Sequence, residues 1–172
     1  MATELETGHQ WVLGCWERPD TQEQWEVAVE EVDGMVADAF ERWQVVRMYC
    51  DPPKWESWVA AWAGRYGDKK VVEWWTNRRK PMAYAIRAYL GAIQASELTH
   101  DGDPVFARHI GNACRAETNL MDEDEKPLWI LRKERPDSPH KIDLAMAGIL
   151  SWEARRDAIT AGEGQRRLAW VL

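Results

Sequence analysis

The sequence predicts an α/β domain, because short runs rich in β-forming residues alternate with amphipathic stretches of helical spacing. Proline and glycine punctuation between those runs supports the same class. At 172 residues, 45% hydrophobic and 30% charged, the chain carries enough apolar material for one compact core, so it is not read as disordered.

The first run, Gln10 to Glu17, is short, apolar and ended by Arg18-Pro19-Asp20, which predicts a strand and a turn. Asp20 or Thr21 can cap the next element. Trp25, Val29, Val32, Val36 and Phe40 then recur at helical intervals, predicting a helix over 22–43. Val45 to Cys50 reads as a second strand, closed by Asp51-Pro52-Pro53, where two prolines forbid further ladder pairing. Trp55, Trp58, Val59 and Trp62 share one face of a short helix that stops near Gly64 or Gly67.

Val71 to Thr76 is a third strand, and Pro81 opens a helix through about Leu98. Pro104 begins a shorter helix through about Ala113, after the turn His100 to Asp103. Asn119 to Glu134 reads as a β-hairpin with a polar turn at Asp122 to Lys126 and an apolar arm Leu128 to Leu131. Ser138 is placed to cap a last helix with Pro139 in its first turn, carrying Ile142, Ala145, Met146, Ile149 and Trp152 inward. Residues 162–172 form a polar tail until Leu168 to Leu172. With no internal repeat and no linker, residues 1–172 are read as one domain.

Composition narrows the function. A net charge of −7 argues against a dedicated nucleic-acid coat, which needs Lys and Arg on its contact surface. It leaves room for local basic patches, at Arg78-Arg79-Lys80, at Arg132-Lys133 with Arg135, and at His140-Lys141. Cys15, Cys50 and Cys114 are far apart and form no zinc spacing, so they read as reduced thiols of a cytoplasmic protein. The N-terminus has no apolar core of a signal peptide, and no run is long enough to cross a bilayer. No Gly-rich phosphate loop and no G-x-S-x-G elbow is present. The twelve tryptophans are read as core and interface packing.

Two carboxylates have contexts suited to chemistry. Asp51 ends an apolar strand, where open α/β sheets present ligand-binding groups. Asp143 lies between Ile142 and Leu144 near the start of an apolar helix, where a buried charge is costly unless paired or metal-bound. If the two meet, a hard divalent cation, Mg²⁺ or Mn²⁺, would relieve their repulsion and could activate water against a phosphodiester. The plainer accounts are a turn-forming Asp-Pro-Pro and an aspartate favoured by the helix dipole. His109 and Asn112, three apart on one helix, could face the same cleft or be ordinary surface polar groups.

The order of elements, with the stretches GHQWVLGCWERP, VVRMYCDPPKWESWVAAWAGRYG, ELTHDGDPVFARHIGNA and KIDLAMAGILSW, resembles the C-terminal nuclease domain of large terminase subunits of tailed phages. The similarity is to the actinobacterial-phage branch and covers about Gly8 to Arg156. It implies a ribonuclease-H-like mixed sheet flanked by helices, and a metal site of three acidic residues. By motif, Asp51 matches the second of these and Asp143 the third. His109, Asn112 and Lys133 match positions near the site, and Lys141 is a further accessory candidate.

The implied activity is Mg²⁺- or Mn²⁺-dependent cutting of concatemeric double-stranded DNA during packaging, in the cytoplasm of a bacterial host, from a phage or prophage gene. The first acidic residue of that pattern belongs to a central strand that would precede Gln10, and Glu4 and Glu6 do not match its motif. The ATPase domain that precedes such nucleases is likewise expected to be absent from residues 1–172. A site short of one carboxylate is expected to cleave poorly, and a sheet short of its central strand exposes unpaired edges. A second copy, a phage partner protein or a rearranged N-terminal segment would then cover them. The alternative is a non-catalytic module that binds protein or DNA.

Overall fold

The computed structural model describes residues 1–19, 21 and 24–163. In chain order the elements are β1 (Ala2–Thr3), β2 (His9–Trp11), α1 (Val29–Arg42), β3 (Met48–Cys50), α2 (Glu56–Tyr66), β4 (Val71–Glu73), α3 (Arg79–Gln94), β5 (Thr99–His100), α4 (Pro104–Asn112), β6 (Cys114–Met121), β7 (Pro127–Arg132) and α5 (Asp143–Thr160). The α/β class is as the sequence predicts. The strands, however, form three small sheets rather than one mixed sheet.

In the first sheet β2 is central, with β1 antiparallel on one side and β5 parallel on the other. The second is the parallel pair β3–β4, with Met48 opposite Val71 and Cys50 opposite Glu73. The third is the β6–β7 hairpin, whose turn at 122–126 lies where the sequence places it. Its Asp122 Oδ1 accepts from the amides of Asp124 and Lys126 at 2.9 and 2.8 Å, a side chain replacing ladder partners inside the turn.

Several boundaries move. β2 ends at Trp11, not Glu17, and β1 was not foreseen. α1 starts at Val29 rather than 22, and Ala28 at its N-cap contributes no side-chain hydrogen bond. The expected cap Asp20 and the expected helix start Gln22 lie outside the described residues, as does the stretch Leu168 to Leu172. Other stops follow local chemistry. α2 ends against Gly67, whose φ of 103° suits glycine. α4 begins with Asp103, whose side chain accepts from the amides of Val105 and Phe106, and with Pro104 at a position needing no N–H.

Two apolar clusters form the interior. Val36 of α1, Cys50 of β3, Val59 and Trp62 of α2 and Val71 of β4 make one. Met82, Ile86 and Tyr89 of α3 with Ile149, Leu150 and Trp152 of α5 make the other. Each large side chain buried this way contributes roughly 1.5–3 kcal/mol. Close packing of α4 on α5 depends on Gly148, where a Cβ would approach Phe106 to 3.1 Å. α5 also packs against both β1 and β3, so one helix lies across two separate sheets.

Candidate functional site

Asp51 follows β3 directly, at the C-terminal end of the parallel pair. The pairing continues one step past the strands, with Trp74 donating to the Cys50 carbonyl at 2.7 Å. That extension brings Thr76 beside Asp51. Thr76 donates its amide to Oδ1 at 3.2 Å and its hydroxyl to Oδ2 at 2.6 Å. The carboxylate is half-buried and has a fixed orientation. The sequence marks Thr76 only as the end of a strand; the structure places it in the turn after β4, a contact its own sequence does not signal.

Asp143 opens α5. The sequence reading placed its charge on a buried face. The structure corrects this: Ile142, Leu144 and Ala145 are buried, while Asp143 is exposed. Its carboxylate makes no hydrogen bond or ion pair among the described residues, and a negative charge is favoured in a first helical turn. Ser138 and Pro139 do not start the helix. Ser138 Oγ accepts from the His140 amide at 3.2 Å in a local turn, and Ile142 occupies the N-cap without a side-chain cap bond.

The cap comes from elsewhere. His109 of α4, fully buried, accepts the Leu144 amide on Nδ1 at 2.9 Å. Asn112, one turn along α4, donates Nδ2 to the Lys141 carbonyl at 2.9 Å. Both residues therefore grip the backbone on either side of Asp143 instead of projecting into a cleft. Lys133 Nζ reaches the Ser138 carbonyl at 3.4 Å, tying down the preceding loop.

Asp51 and Asp143 line one cleft of about 1510 Å³. Met146 and Leu150 of α5 contribute to the same wall, and Thr76 stands beside Asp51. Ala2 and Thr3 of β1 line it, and so do Met48 and Tyr49 of β3. Each of these strands is hydrogen-bonded on one side only. Edge strands of two sheets thus contribute residues to the cleft that both aspartates line.

A second cluster was not anticipated. One ligand atom each from Cys15, Glu17 and His109 lie within 4.8 Å of one another. Ring chemistry argues against a metal there. An amide can only donate, so Nδ1 of His109 is unprotonated, and its single ring proton sits on Nε2, facing Glu17 Oε1 at 2.9 Å. A cation on Nε2 would require the imidazole to lose that proton too. Glu17 is also paired with Arg108. Burial raises the Glu17 pKa, but the hydrogen bond from His109 and the Arg108 guanidinium outweigh it and leave it below the usual carboxylate range. Burial, with Glu17 and Asp143 nearby, pushes the Cys15 thiol up, away from the thiolate that binds metal.

Asp51 and Asp143 fit a hard divalent cation in donor type. Carboxylate oxygens suit Mg²⁺ or Mn²⁺, which retain several waters. Asp143 has free lone pairs, and Asp51 is oriented from behind by Thr76.

The chain is similar to the Gene 13 protein of Mycobacterium phage L5, 32% identical over 141 residues, which is 77% of this chain and 23% of that protein. It is similar to the same extent to the Gene 13 protein of Mycobacterium phage D29. The chain thus spans about a quarter of the length of the curated relatives it matches. No family model matches it, and no solved structure matches it. Among the described residues no helix is long and apolar enough to cross a membrane.

Proposed function

We propose that this chain is the body of a metal-dependent DNA-cutting domain of the terminase nuclease type, with Asp51 and Asp143 as two of its metal-binding carboxylates. The observation that carries the reading is that these two acids, delivered by the end of β3 and the start of α5, line the same cleft. Similarity to proteins of two mycobacteriophages supports a phage setting. A hard divalent ion held there would supply an activated water and charge neutralisation at a phosphodiester. The chain's own residues supply the anchoring: Thr76 orients Asp51, and the α4 side chains hold the backbone at Asp143.

The same reading gives the open edges a purpose. An extended segment laid over α5, between β1 and β3, would pair with both edges and merge the two sheets into one ribonuclease-H-like sheet. A carboxylate on that segment would complete the acidic set. The proposed substrate is double-stranded phage DNA.

The test is Mn²⁺ binding by titration calorimetry, beside nicking of supercoiled plasmid, for the wild type, Asp51→Ala and Asp143→Ala. The expected result is Mn²⁺ binding that either substitution weakens at least tenfold, with slow nicking that both remove. Binding or nicking indifferent to both substitutions would sink the reading. A folded protein that neither binds Mn²⁺ nor nicks DNA would favour a non-catalytic binding module instead.

A further inference from the structure

The polar chain from half-buried Glu17 through buried His109 to Leu144 has no part in the acid pair itself, yet it ends one residue from Asp143. We propose that Glu17 and His109 are positioning residues: together they fix the first turn of α5, and hence the direction in which Asp143 presents its carboxylate. The role assigned to Asp143 rests on the proposed metal site; the fixing of the helix start does not.

The geometry supplies each link. α5 begins without a side-chain cap of its own, so its first amides lack partners within the helix. The Leu144 amide is satisfied by His109 Nδ1 at 2.9 Å, inside a fully buried contact. An imidazole can accept there only in the tautomer protonated on Nε2. That proton needs an acceptor, because an unmet buried donor is costly. Glu17 Oε1 provides it at 2.9 Å. Arg108, also on α4, pairs with the same carboxylate and holds it in place. Removing Glu17 therefore leaves the Nε2 proton without its acceptor and takes away one of the two contacts that select the tautomer capping α5. Asn112 acts on the other side, fixing the Lys141 carbonyl at 2.9 Å. The backbone flanking Asp143 is held from one face of one helix, at two points.

This is a different device from a metal centre. The cluster orients a carboxylate through the backbone, without touching a substrate or an ion. Groups that set the direction of ligands in this way typically alter metal affinity by about 10–100-fold when removed.

The test separates shape from chemistry. In His109→Asn, the side-chain oxygen falls near the position of Nδ1 and can accept from Leu144. In His109→Gln, the polar group falls near Nε2 and cannot. Amide hydrogen exchange at Leu144 and Mn²⁺ affinity are measured for both, and for Glu17→Ala. The proposal expects His109→Gln and Glu17→Ala to speed exchange at Leu144 about tenfold or more and to weaken Mn²⁺ binding about tenfold or more. His109→Asn should restore most of both. Unchanged exchange in His109→Gln would overturn the fixing of the helix. Faster exchange with unchanged Mn²⁺ affinity would overturn the link to Asp143. A wild type that binds no Mn²⁺ would remove Asp143 as the target and defeat the metal reading itself, while the exchange data would still decide whether α5 is capped from α4.

Discussion

Thr76 holds both oxygens of Asp51, one through its amide at 3.2 Å and the other through its hydroxyl at 2.6 Å. Asp51 follows β3 directly, and Thr76 lies in the turn three residues past β4, which folds back onto the carboxylate. Thr76→Val keeps the shape and the amide bond but deletes the hydroxyl. It should cost about 1–2 kcal/mol in urea unfolding and let Asp51 reorient. Stability unchanged within error would mean that water replaces the hydroxyl without cost.

Gln10 is fully buried, and both ends of its side chain are used. Its amide nitrogen donates to the Gly148 carbonyl at 2.8 Å and reaches Thr3 and Ser151 at 2.9 Å each, while its oxygen accepts from the Tyr89 hydroxyl at 2.8 Å. Tyr89→Phe strands that oxygen in a dry interior and should cost about 1–3 kcal/mol. The denaturation midpoint should fall with an unchanged slope. Gln10→Leu on the same background should cost less than it does in the wild type, because no Tyr89 hydroxyl is then left to be stranded.

Two glycines make a matched pair. Gly8 has a φ of +75°, and a Cβ there would sit 2.5 Å from the Glu97 carbonyl oxygen and 2.9 Å from the Trp152 ring. Gly8→Ala should destabilise by more than about 1 kcal/mol. Gly34 lies inside α1 with open space at its Cβ position. Gly34→Ala should stabilise by about 0.5–1 kcal/mol. Equal thermal shifts from the two would contradict this account of residue 8.

The pairing of Glu17 predicts a pH dependence. Its pKa lies below the usual carboxylate range in the folded protein, because His109 and Arg108 outweigh its burial. The unfolded chain therefore binds the proton first as pH falls. The stabilisation is complete above the ordinary carboxylate pKa and is lost as pH drops through the lower folded value. Glu17→Gln should flatten the acid limb of the stability curve in that window and leave its neutral region with a constant offset. An acid limb parallel to that of the wild type would show that other carboxylates dominate.

Local signals were legible where local chemistry decides. Pro104 marks the start of α4, the Gly64 or Gly67 stop the end of α2 (at Gly67), and Asp122 to Lys126 the hairpin turn, because each acts within a few residues of itself. Asp51 and Asp143 are paired by the sequence reading, and both line one cleft. The start of α5 was misread because Ser138-Pro139 has the pattern of a helix opening, whereas the acceptor that caps the helix is His109 on another helix. Tertiary caps have no sequence spacing to read. The run after Gln10 was read as strand because it is apolar, but β2 gives only three residues to the sheet. Likewise Gln10 gave no hint of a buried hub, since its partners lie on β1, α3 and α5.

A molecule with two interiors need not melt once. Trp62 belongs to the cluster built on α1, α2 and the β3–β4 pair, and Trp152 to the one built on α3 and α5. Each interior thus holds one deeply buried tryptophan, at 4% and 2% exposure. Tyr49 and Trp74 connect them, both packing against the second cluster, and Tyr49 also bonds to Asp157 of α5. If the smaller interior opens ahead of the larger one, a variant keeping Trp62 as its single tryptophan will shift its emission at a lower denaturant concentration than one keeping Trp152.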